Sequence, residues 1–274
     1  MNLQIDKKLF DGIIYAAAGY SSSVFESVQV DIHYCENLLD LTLLEAGRQA
    51  VSVDKALMND CHIYVCCDAF LRRLRHFDLV LTDSGFGVVS NDHVAPASRE
   101  RVNALEAQLK RRKEESYCDI LSNLTKVEGW GNDPKARHLF QTVVYHIREA
   151  EDLTGKNDIT ASEWAALKRS FFDADFKICG VTGSGFMEEL IRCVMTNTAS
   201  DIQQTAISLV KQTMATMVVN DGQNPVQKEA LRRLIDWLED NKESFTSYTE
   251  SKEYAARHAE TYQNRKDSPV FFFG

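Results

Sequence analysis

Only 13 glycines and 4 prolines are spread over the 274 residues of this chain. A chain so poor in turn formers makes few tight reversals, and long helices suit it better than a many-turned β-sandwich. One stretch breaks that uniformity. Residues 79–91 read LVLTDSGFGVVSN, two apolar runs split by Asp83-Ser84-Gly85. This is the pattern of a β-hairpin whose three-residue loop puts Gly85 in the left-handed position. Pairing Thr82 with Phe86 then sets Val80 opposite Val88, so Val80, Thr82, Phe86 and Val88 form one face. Leu79, Leu81, Gly87 and Val89 form the other. A lone hairpin that is apolar on both sides needs cover from its own helices or from a neighbour.

Helical spacing of apolar residues dominates the rest. Helices are expected around Lys8–Ala18, and over Val30–Ala50 with Ile32, Leu38, Leu39, Leu43, Leu44 and Ala46 inward. A third follows an Asp54 cap to about Phe77, and a long one follows Ser98, with Val102, Leu105, Leu109, Ile120 and Leu124 inward. Further helices are expected from Asp133 or Pro134 to about Leu153, and from Thr160 or Ser162 through Trp164, Leu167, Phe171 and Phe172. The last lie over 187–219, broken near Asn197–Ser200, and near 226–243 and 247–262. The expected class is mainly α: helical bundles, one inserted β-hairpin at about 79–90, and an extended C-terminal tail. Its units are 1–125, a linker with a helix at 126–158, a second helical unit at 159–262, and the arm 263–274.

Two segments echo each other at a constant offset, PASRERVNALEAQL from Pro96 and PVQKEALRRLIDWL from Pro225. Val102 corresponds to Leu231, Leu105 to Leu234 and Leu109 to Leu238. Ile5-Asp6 before Phe10 likewise resembles Ile159-Thr160 before Trp164. An internal duplication and the ordinary coincidence of amphipathic helices both account for this.

The net charge of −9 argues against a general nucleic-acid coat, which needs a basic surface to displace counterions. The run Lys110-Arg111-Arg112-Lys113 is locally basic, but Glu106, Glu114 and Glu115 flank it as on a solvated helix face. Seven irregularly spaced cysteines fit reduced thiols better than a disulfide framework. The first eleven residues hold no long apolar segment of the signal-peptide kind. Nor does any run approach the ~20 apolar residues that span a bilayer, so no membrane role is expected.

Gly180–Phe186 (GVTGSGF) precedes a helix but lacks the Lys and Ser/Thr of a phosphate loop, and reads as a turn. Cys61, His62, Cys66, Cys67 and His76 crowd one helix, where His62 and Cys66 share a face. No CxxC or HExxH accompanies them, so small apolar cysteines are the plainer reading than a metal site. No catalytic signature appears, and neither an enzyme activity, a cofactor nor a metal is expected. What stands out instead is adhesive. Beside the hairpin, DSPVFFFG places Val270, Phe271, Phe272 and Phe273 after a polar segment, and such an aromatic run docks on its own domain or on a partner. Val80, Phe86, Val88 and Val270–Phe273 are therefore the candidate partner-binding residues.

The run DLVLTDSGFGVVSNDHVAPASRERVNALEAQL (78–109), with YQNRKDSPVFFFG, resembles a family of structural proteins from tailed phages and prophages of gut Bacteroidales, similar in length to head–tail connector (adaptor) proteins. The resemblance implies a ring oligomer, a dodecamer, joining the portal protein to tail or other neck proteins at the head–tail junction of a virion. DNA would be only passing cargo, and the chain would be made in the bacterial host's cytoplasm. Many adaptors are single bundles, and this chain is larger, which leaves its second half a job of its own. A soluble helical nucleic-acid-binding or regulatory protein using Lys110–Lys113 is the alternative.

Overall fold

The computed structural model describes residues 2–17, 23–77, 79–82, 85–88 and 98–259. The chain is mainly helical. A short α1 (Lys7–Ile13) leads to α2 (Ser23–Val51) and α3 (Lys55–Leu74). After the segment around the hairpin comes α4 (Arg99–Leu124). The remainder is α5 (Ile147–Thr154), α6 (Ala161–Thr182), α7 (Ser184–Thr196), α8 (Asp201–Val219), α9 (Asn224–Asp240), α10 (Thr246–Thr249) and α11 (Lys252–Arg257). In the first half α3 packs between α2 and α4; in the second, α8 packs on α5, α6 and α9.

The helix starts are written in side-chain caps. Asp54 accepts from the amides of Ala56 and Leu57 at 2.8 and 3.1 Å, and Ser98 accepts from Arg101. Thr160 and Glu163 form a reciprocal capping box. Each satisfies backbone donors that have no partner in the first turn. The Ile5-Asp6…Phe10 and Ile159-Thr160…Trp164 echo has a local explanation here. Asp6 and Thr160 are both N-caps, and Phe10 and Trp164 are both buried one turn on, the arrangement of a hydrophobic staple.

The pairing in the hairpin differs from expectation. Leu79–Thr82 (β1) and Gly85–Val88 (β2) run antiparallel, with Leu79 opposite Val88, Val80 opposite Gly87, Leu81 opposite Phe86 and Thr82 opposite Gly85. The Thr82–Phe86 and Val80–Val88 pairs do not form. Gly85 joins the ladder opposite Thr82 rather than the loop. A one-residue change of register reassigns every partner. The side chains of these strands, and Val89, lie outside the described residues, as does the Val270–Phe273 segment.

Three helical expectations also change. Residues 133–146 do not form a helix. Two 3₁₀ turns, Trp130–Asn132 and Ala136–Leu139, lead into irregular chain, and α5 begins only after a His146 cap. Leu38 faces outward rather than inward. Gly180 lies within α6, and the break falls at Gly183. There the backbone is left-handed (φ 89°) and an added Cβ would sit 2.5 Å from that of Ser251, so a side chain fits neither the conformation nor the space.

Residues 126–158, expected as a linker with a helix, are part of the core. Trp130, Ala136, Phe140, Val143, Val144, Ile147 and Ala150 are buried and join one continuous apolar cluster with both halves. Trp130 meets Phe140 edge-on with ring centroids 6.1 Å apart. Its indole N–H donates to the Thr42 carbonyl at 3.1 Å. Two residues on, α2 kinks at Leu44, whose φ of 56° and ψ of −166° are sterically costly for a side chain. Such kinks persist where inserted side chains serve the freed backbone. Next to Trp130, an added Cβ on Gly131 would come 2.4 Å from the Met195 carbonyl oxygen, so glycine alone permits this close approach to the end of α7.

Trp130→Ala is expected to cost about 3–5 kcal/mol by cavity formation. Trp130→Phe, which keeps most of the apolar volume but leaves the Thr42 carbonyl without its donor, should cost about 1–3 kcal/mol. Urea denaturation followed by circular dichroism measures both.

Candidate interaction surfaces

α2 and α6 each carry an apolar stripe on the side away from the core. On α2 the stripe is Val30, Tyr34, Leu38 and Leu41, spaced four, four and three apart, with Val30 73% and Leu41 71% exposed. At 100° per residue these four lie within an ~80° arc and extend over about 16 Å. The buried Val28, Ile32, Cys35, Leu39 and Leu43 occupy the opposite side. Arg72 from α3 lies 4.5 Å from the Tyr34 ring centroid and covers one edge. On α6, Phe172 is 51% and Phe176 76% exposed, while Trp164, Leu167, Phe171, Ala174 and Ile178 point into the core. Contiguous apolar stripes are what soluble proteins otherwise avoid, and they mark contact surfaces. Helical spacing counted outward from the core would have revealed both, because Val30, Tyr34, Leu38 and Leu41 share an arc that the inward set leaves empty.

The other candidates resolve into structural roles. Every cation of Lys110–Lys113 is engaged within the chain. Lys110 pairs with Glu106 at 2.6 Å. Arg111 forks onto Glu151 at 2.8 and 2.9 Å and also meets Glu115. Arg112 donates to the Ile13 carbonyl at 2.6 Å, and Lys113 reaches Asp68 at 3.3 Å. These contacts tie α4 to α1, α3 and α5, so the run serves packing within the chain. His62 bonds the Leu3 carbonyl at 3.0 Å, while Cys61, Cys66 and Cys67 are fully buried. Burial raises all three thiols, Cys67 to about 11 and Cys61 to about 12, so they pack as small apolar groups. Among the described residues no three His, Cys, Asp or Glu side chains are placed to hold a metal ion. Nor is any described helix long and apolar enough to cross a membrane.

A cleft of about 460 Å³ lies between α4, α6 and residues 138–145, floored by Trp164, Tyr117 and Tyr145, with Lys168 and Arg169 also lining it. Lys168 stands 5.3 Å from the Trp164 ring centroid and 3.5 Å from Glu114. Cys118, also in its wall, donates to the Tyr145 carbonyl at 3.4 Å, and burial lifts its thiol to about 12. The cleft therefore offers an aromatic floor and a paired cation but no activated nucleophile.

The fold is mainly α, and α2 and α6 turn apolar residues outward. Residues 14–138 and 210–258, together well over half of the chain, match a family described as a family of unknown function (DUF6712). The chain belongs to that family. The match takes in α2, α3 and α4 and resumes within α8, so the α2 stripe falls inside it and the α6 stripe outside. Comparison with curated proteins and with solved structures gives no match.

One half-buried acid marks the junction of α6 with the 3₁₀ turn at Ala136–Leu139. Asp175 has one carboxylate oxygen buried without a partner, and the other accepts from the Cys179 thiol at 3.5 Å. Burial pushes its carboxyl up to about 6, against smaller opposing effects of Cys179 and Arg137. The folded state thus holds this proton more tightly than the unfolded chain. Its contribution is favourable below about pH 4 and is lost as pH rises through about 6. Asp175→Asn should therefore stabilise the protein by about 1–2 kcal/mol at pH 8 and by nothing measurable near pH 4. Thermal melts at the two pH values test this.

Proposed function

We propose that this chain is a structural assembly protein, a head–tail connector (adaptor) subunit of a tailed phage. It forms a ring between the portal and the tail around the DNA channel. The observation that carries the reading is the pair of outward apolar stripes, on helices that pack against different neighbours. A two-fold dimer needs one self-complementary patch, whereas head-to-tail association needs two unlike ones and closes into a ring when the rotation allows. The hairpin carrying Val80, Phe86 and Val88 and the segment Val270–Phe273 are the arms such a subunit extends, and the stripes are the faces that receive them. The resemblance of residues 78–109 supports the same class. The nucleic-acid-binding alternative draws little support from Lys110–Lys113, since each of those cations already has a partner within the chain. An acidic subunit suits a channel that DNA must leave freely.

The purified protein, followed by light scattering and negative-stain imaging, is expected to form rings alone or on adding portal protein. A persistent monomer indifferent to portal overturns the proposal. Val30→Asp with Leu41→Asp, both at exposed positions, should abolish assembly with the monomer's melting temperature unchanged. Val80→Asp with Val88→Asp should likewise cost assembly more than folding, and circular dichroism showing an unfolded monomer would make those two residues ordinary core.

A further inference from the structure

The outward face of α6 does not stop at Phe176. Phe172, Phe176 and Gly180 fall within one ~80° arc, so they form a single strip along the helix, and Gly183 caps it just beyond. A Cβ built on Gly180 would meet nothing within 4 Å, which leaves the strip flat and open beyond Phe176. It closes at Gly183, where Ser251 sits directly against the glycine. The last described helix is fastened at the same place. Arg257 donates to the Val181 carbonyl at 2.6 Å and to the Tyr248 hydroxyl at 3.0 Å, with its guanidinium 5.5 Å from the Tyr248 ring centroid. The chain therefore leaves its described part beside the C-terminal end of α6, at the closed end of the strip.

Residues 260–269 read ETYQNRKDSP, and Val270-Phe271-Phe272-Phe273 follow. A coil of this length has a root-mean-square reach of about 17–20 Å. Along the α6 axis Phe176 lies about 7.5 Å, and Phe172 about 13.5 Å, from the Val181 anchor. The polar spacer thus brings the aromatic run to the two exposed phenylalanines at a distance it spans without stretching. Both groups are costly to leave in water, and each supplies what the other lacks. A helix face offers no free backbone edge, so the contact is one of side chains rather than strand addition.

We infer that in the free subunit Val270–Phe273 lie on the Phe172–Phe176–Gly180 strip of the same chain, an internal cover over one of its two apolar faces. The inference concerns the unassembled protein and does not depend on ring formation. Its test uses the full chain with p-benzoylphenylalanine in place of Phe272, irradiated as a dilute equal mixture of ordinary and ¹⁵N-labelled protein. Mass spectrometry should find position 272 joined to peptides of α6, both partners carrying the same isotope. Phe172→Asp with Phe176→Asp should remove that crosslink without moving the melting temperature. Crosslinks to other elements, no crosslink at all, or pairs of mixed isotope, which would make a second copy the occupant, each overturn it. Persistence of the α6 crosslink in the double variant does so as well.

Discussion

The contact on which both halves of this protein depend is the burial of Trp130. Its ring fills the space between α2 and the 126–158 segment, and its N–H serves a carbonyl beside the kink in α2. Gly131 allows the same turn to press against the end of α7. One short stretch, Gly129–Asn132, thus touches an element from each half, and α4 and α6 close the remaining gap. The Arg111–Glu151 fork fastens α5 to α4 beside it. It is only partly exposed and bidentate, a geometry in which an ion pair contributes beyond the small value of a surface pair.

With the core continuous, the surface becomes the informative part. Charged residues at 26% and hydrophobic residues at 44% are ordinary, so nothing in bulk composition requires an apolar exterior. Yet α2 and α6 each turn apolar residues outward along one arc. The basic run of α4 shows the reverse case, a feature that looks external in one dimension and is spent on internal bonds in three. Local charge says little about function until its partners are known, because a guanidinium matched by carboxylates has no field left to offer.

On the assembly proposed above, a segment of the same chain that covers one face competes with a neighbour at high effective concentration, which would keep subunits from joining too early.

The helical class, the caps at Asp54, Ser98 and Thr160, and most of the inward residues were legible in the sequence. Each depends on spacing within a few residues of itself, and 3.6-residue periodicity is a local property. The absence of a helix over 133–146 was not legible. There, tertiary contacts of Trp130, Phe140 and Val143 with both halves outweigh the local preference for a helix. The hairpin register escaped for a similar reason, since a two- and a three-residue loop differ by one position that alternation alone does not choose. Phe172 and Phe176 lie on the arc of α6 opposite Trp164, Leu167 and Phe171, a placement that helical spacing carries without the fold. Sequence by itself determined the helical class and the starts of α3, α4 and α6, because caps and periodicity are local. The tertiary structure alone decided the path and burial of residues 126–158, because burial is a property of neighbours that sequence does not list.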